Sequence, residues 1–184
     1  MTAPTESVVV LSRALDQASD VLAAVHEDQL TRPTPCGDWS VAQLIGHLVD
    51  APARFLQMAR GEKADWSAEP RPVTANWVTE FRSNADDLIH HWHQAGSAAD
   101  SGQIDWEIAE IAVHTWDVAR ATGQSSPLVP EVAERGLAFM SAMLSPETRG
   151  KAFAPAVRVP DDAPVYDRLA AFAGRAVGSR TEVS

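Results

Sequence analysis

Only one cysteine, Cys36, occurs in this chain of 184 residues, which excludes an internal disulfide and agrees with a reducing compartment. Basic residues are also scarce: 15 Lys and Arg stand against 25 Asp and Glu, and the isoelectric point is near 4.9. A chain so balanced has no broad cationic face for a nucleic-acid backbone or an anionic membrane. Long apolar runs are missing too. No window approaches the roughly 20 apolar residues of a spanning helix, and the start MTAPTESVVVLSR lacks the basic and apolar regions of a signal peptide. These absences leave a cytoplasmic protein whose partners are small molecules or proteins rather than nucleic acid or membrane, and they leave its oligomeric state open, a homodimer included.

What is present is apolar residues at helical spacing. The length predicts one domain over 1–178 followed by a frayed tail at 179–184. Val8, Leu11, Leu15, Ala18 and Leu22 share a face and predict a helix over 6–24, with Thr5 as its cap. The segment 28–38, DQLTRPTPCGD, reads as a loop because Pro33 and Pro35 push their predecessors out of helical geometry. Ser40 and Gln43 form a capping box and open a second helix that runs to residue 60. The stretch 61–74 has charge and no sustained period, as expected of a surface connection. Further helices are predicted at 77–94, 104–122, 131–144 and 165–175, with an extended strap over 151–159. The fold class is all-α, most simply a four-helix bundle with short C-terminal additions.

The helix at 104–122 is apolar almost all round, yet it carries Glu110, His114 and Asp117 within about 60° of one another. Such a helix belongs in the interior, where a carboxylate and an imidazole need each other or a cation. Glu110 and His114, at i and i+4, offer an oxygen and a nitrogen to one point, as a divalent transition metal requires. An internal hydrogen bond satisfies the same pair without metal. His47 is the one other histidine in a strongly periodic apolar helix and is the candidate third ligand, although a boundary histidine is as a rule simply half-exposed. Asp117 is placed to accept the ring N–H of His114 as a second-shell partner, or else to pair with Arg120 or Arg54.

Other features read as structural. Cys36 precedes a helix N-terminus, but His47 lies seven residues inside that helix, about 10 Å along it, so Cys36 is expected not to reach the same ion. The cluster His90, His91 and His93 points in several directions at a helix C-terminus, where cations are favoured in any case. Trp39 and Trp116 either line a pocket or pack the core. Arg54 and Arg82 read as solvated side chains or as anchors for an anionic group.

Three segments together carry a family resemblance: PTPCGDWSVAQLIGHLVD at 33–50, EIAVHTWDVARATGQ at 110–124 and FAPAVRVPDDAPVYDRLAAFAGR at 153–175. The first two resemble the N-terminal domain of the mycothiol-dependent maleylpyruvate isomerases and related DinB-like metal-binding proteins. The third is similar to the ending of a small single-domain branch of that group. The resemblance implies a DinB-like four-helix bundle that binds a divalent metal, zinc or alternatively nickel, through His47, Glu110 and His114. Three protein ligands leave open positions, as at a catalytic zinc. With no protein nucleophile expected, the reactive thiol comes from outside, and the resemblance implies mycothiol as cosubstrate. The resulting expectation is a metal-dependent, low-molecular-weight-thiol transferase or isomerase acting on small electrophiles. The alternative is a metal-containing protein that binds or sequesters a small molecule without chemistry. The isomerases carry a further C-terminal domain for which this chain has no room, so maleylpyruvate itself is not the expected substrate.

Overall fold

Six apolar stripes at helical spacing become six helices in the computed structural model, which describes residues 4–149 and 153–178. They are α1 (Pro4–Ala23), α2 (Val41–Ala59), α3 (Trp77–Ala95), α4 (Ser101–Thr122), α5 (Pro130–Met143) and α6 (Val165–Phe172). There is no strand among the described residues, only an isolated bridge between Pro33 and Ser40. None of the helices is long and apolar enough to cross a membrane.

The first four helices form the bundle. α4 lies against α1 and α2 on one side and against α5 and α6 on the other, while α3 closes the bundle across α1 and α2. This explains the sequence of α4: every residue from Ile111 to Ala119 is buried, because no face of that stretch meets solvent. Gln17 of α1 ties the outer helices in, donating to the Tyr166 hydroxyl at 2.6 Å and accepting from the Val129 N–H.

The capping box at α2 forms as expected: Gln43 N–H donates to Ser40 Oγ at 3.3 Å and Ser40 N–H to Gln43 Oε1 at 3.0 Å. Other ends differ from expectation. α1 already runs through Thr5, beginning at Pro4, whose ring is suited to the first turn. α4 begins three residues early because Asp100, not a later residue, accepts the free N–H groups of Gly102 and Gln103. α6 stops at Phe172, short of residue 175, and Gly174 follows with φ +84°. Of the predicted strap, Lys151 and Ala152 lie outside the described residues, as does the tail at 179–184. The rest has no regular structure and is held by Val157 N–H donating to Ala171 O at 2.8 Å.

The segment 61–76 does more than connect. At Gly46 on α2 an added Cβ would lie 2.2 Å from Arg71 O, so the absence of a side chain lets this segment pack directly on the helix. Arg71 fixes it there through Asp50 at 3.0 Å and through Glu80. Trp66 is thereby laid against Phe55, ring centroids 4.7 Å apart.

Candidate metal centre and its cavity

His47 from the second turn of α2 and Glu110 and His114 from α4 meet where the two helices pack. His47 Nε2 lies 2.8 Å, and His114 Nε2 3.1 Å, from the same Glu110 oxygen, Oε1. The two imidazole rings stand edge to face, centroids 4.8 Å apart. All three ligand atoms fall within 4.8 Å of one another. For a tetrahedral ion with bonds of 2.0–2.1 Å the ligand atoms stand about 3.3 Å apart, so the spacing suits a small divalent cation.

On the far side of the His114 ring, Nδ1 lies 3.2 Å from Asp117 Oδ2. A proton on Nδ1 donates to that carboxylate, which leaves the Nε2 lone pair turned toward Glu110. Two acceptors facing each other at 3.1 Å require a cation between them, either a proton or a metal. Without metal the proton takes this place. Burial opposes charge on His114, but the Glu110 charge and then the bonds from Asp117 and Cys36 hold the imidazole well above its ordinary value. Burial likewise works to raise Glu110, yet His114 and His47 outweigh it and hold the carboxyl well below the usual range. The buried arrangement is therefore charged and short of nothing but a choice of cation.

Asp117 is fully buried, and its partner is Arg175 rather than Arg120 or Arg54. Arg175 Nη2 donates to Asp117 Oδ2 at 3.0 Å, and Nη1 donates to Ala173 O at 2.9 Å. The positive φ of Gly174 makes the turn that brings this guanidinium inward, and a Cβ there would lie 2.6 Å from Ala154 O. Nothing in the sequence marks Arg175, since a Gly-Arg pair after a helix looks like any surface terminus.

Cys36 stays outside the group formed by His47, Glu110 and His114, as expected, but it lies closer to His114 than the distance along α2 implies. Arg175 Nη2 stands 3.4 Å from Cys36 Sγ, and the sulfur lies within 4.8 Å of ligand atoms of both His114 and Asp117. The loop does not continue the axis of α2 but doubles back. The Pro33–Ser40 bridge and the bonds from Thr34 N–H and Oγ to Trp39 O fold residues 34–39 over the helix end. Rise per residue measures distance along a helix, not across such a fold.

These groups form the inner end of a cavity of about 890 Å³. Trp39 lines it, its ring 5.0 Å from that of His47, whereas Trp116 packs in the core and donates to Asp167 at 3.3 Å. Trp66 and Trp106 also line it. Trp66 carried an unread signal, since a large aromatic in a charged connection must find cover somewhere. Neither Arg54 nor Arg82 lines the cavity, although the Arg54 guanidinium stacks over the Trp66 ring, 5.8 Å from its centroid. Arg54 sits 3.8 Å from Asp50, and Arg82 donates to Ser19 at 2.6 Å. His90, His91 and His93 belong to neither ligand cluster found among the described residues.

With the geometry of both segments in view, their ancestry is decided by comparison. Residues 11–119, which include all three candidate ligands, match the mycothiol maleylpyruvate isomerase N-terminal domain. The chain belongs to that family. Two relatives from Mycobacterium tuberculosis strains, the uncharacterized proteins MT0763 and Rv0738, are each 33% identical over 181 residues, covering 90% of this chain and 95% of their own. No solved structure matches the chain.

Proposed function

We propose that this family member is a metal-dependent enzyme that uses a low-molecular-weight thiol of the mycothiol type to act on small electrophiles, by transfer or isomerisation. The observation that carries the reading is the convergence of His47 Nε2 and His114 Nε2 on one part-buried Glu110 oxygen lining a cavity. Two neutral imidazoles and a carboxylate suit zinc, with nickel an alternative, and they leave coordination positions open. The bound ion supplies Lewis acidity that favours the thiolate form of a thiol near neutral pH.

The remaining work falls to the chain's own residues. Asp117 holds the proton on Nδ1 of His114 and so keeps Nε2 available. Arg175 neutralises Asp117, which would otherwise be an isolated buried charge. Trp39 and Trp66 flank the His47 ring at 5.0 and 6.2 Å and keep bulk water from it.

The test begins with metal analysis of the purified protein, where about one equivalent of zinc or nickel is expected. The variant His114→Ala is expected to lose that metal, and retention of a full equivalent refutes the ligand assignment. Incubation with mycothiol and iodoacetamide, with and without chelator, then tests the chemistry. Metal-dependent conjugation supports an enzyme. Bound metal with conjugation that is absent or indifferent to chelator points to a protein that only binds.

A further inference from the structure

The cavity is two environments in series. At one end stand His47, Glu110, His114 and Arg175, with Asp117 buried behind them. From there outward the walls are aromatic and aliphatic. Trp39, Trp66 and Trp106 are half of the six tryptophans in the chain, and all three are partly exposed at this one place. Trp66 and Trp106 continue the ring surface away from His47, their centroids 5.8 Å apart and their planes inclined by 37°. α5 contributes Phe139 and Met143 to the lining, and Leu144 just beyond its end adds to them. Met143 is 59% exposed, an unusual site for a methionine unless the surface it borders is used.

Outside the ligand cluster the cavity offers a small dianion no second cation among the described lining residues. Glu110 is balanced by His114 or by the ion, Asp38 lines the cavity, and the Arg175 guanidinium is already bonded to Asp117 and to Ala173 O. One carboxylate would find the ion, and the second would meet Asp38 and apolar walls. The volume, about 890 Å³, is that of a site for a drug-sized molecule.

We propose that the ligand of this cavity is a flat, largely apolar aromatic molecule, laid along Trp66 and Trp106 with its reactive end toward His47 and His114, and not a small dicarboxylate. As a statement of substrate class this rests on the thiol-enzyme reading above, but occupancy of the cavity is measurable without any turnover. In the reaction the thiol sulfur forms a bond to an electrophilic ring or side-chain carbon, the bond from that carbon to its leaving group breaks, and the thiol proton passes to solvent.

The experiment titrates the whole purified protein with β-naphthol and separately with maleate, following tryptophan fluorescence and calorimetry, without thiol. Saturable quenching by β-naphthol and no heat from maleate are expected. Trp66→Leu and Met143→Glu are each expected to weaken β-naphthol binding by about tenfold, the first through lost ring contact and the second through a charge placed on an apolar wall. Met143 is on the surface, so its variant reports on the cavity even where Trp66→Leu lowers stability. Maleate binding with β-naphthol excluded overturns the proposal, as does β-naphthol binding indifferent to both substitutions. Metal-dependent conjugation of iodoacetamide without β-naphthol binding overturns the aromatic assignment and leaves the thiol reading standing. Binding of β-naphthol at the cavity with no conjugation of any electrophile supports the assignment and removes the thiol reading.

Discussion

A single oxygen, Glu110 Oε1, is approached by two imidazole nitrogens, and everything around it works to keep those nitrogens facing it. The Asp117→Asn variant therefore tests more than a hydrogen bond. It leaves the His114 ring in place but weakens the hold on its Nδ1 proton, and metal affinity is expected to fall by roughly 10–100-fold in chelator competition. Glu107 offers a separate experiment, one turn below the site. Fully buried, its carboxylate accepts from Trp92 Nε1 and Gln103 Nε2, both at 3.0 Å, yet burial outweighs them and pushes the group up to about 8. The folded protein therefore holds a proton that the unfolded chain releases near 4.5. Stability is expected to fall as pH rises from about 4.5 to 8, by a few kcal/mol, and then level off. In Glu107→Gln that slope disappears, although its amide N–H now faces a donor and overall stability drops; urea titrations across this range check both effects. At this scale the sequence was partly legible. Glu110, His114 and Asp117 stand out because their helix is otherwise apolar, and Glu107, within about 20° of His114 on the same wheel, continues the stripe one turn earlier but has no basic neighbour in sequence to draw attention to it.

At the scale of elements, helices were readable and the segments between them were not. Periodicity predicted each helix to within a few residues, since a stripe at spacings of three and four depends only on neighbours in sequence. Residues 34–39 and 61–76 take their shape from backbone contacts that periodicity does not report: the Pro33–Ser40 bridge that closes one, the bare backbone of Gly46 under the other. So the local sequence hints that Trp66 must find cover but does not tell that these segments carry Cys36 and Trp66 to one cavity. The same holds for the turn after α6. Gly174→Ala places a Cβ against Ala154 O and forces a residue with a side chain to φ +84°. A loss of about 1–3 kcal/mol in denaturant titration is expected, together with weaker metal retention as Arg175 is displaced.

For the whole molecule, the fold class followed from six runs of apolar residues at helical spacing, one of them apolar almost all round, and the bundle arrangement then placed that one, α4, at the centre. The meeting of α2 and α4 at His47 was suggested by family resemblance and not by spacing, because helix order alone does not tell which faces pack. Since the candidate ligands bridge these two helices, metal occupancy is linked to global stability. Saturating zinc at a hundred times its dissociation constant adds about 2.7 kcal/mol, so stripping the protein with chelator is expected to lower Tm by several degrees in a thermal scan.

Arg175 stands 58 positions after Asp117 and 139 after Cys36, yet it touches both. During synthesis the four bundle helices leave the ribosome well before this arginine does. Until Arg175 is in place, the only described side-chain partner of Asp117 is His114, and the cavity lacks its guanidinium. Translation that stops at Phe172 would yield a recognisable bundle with an unfinished centre.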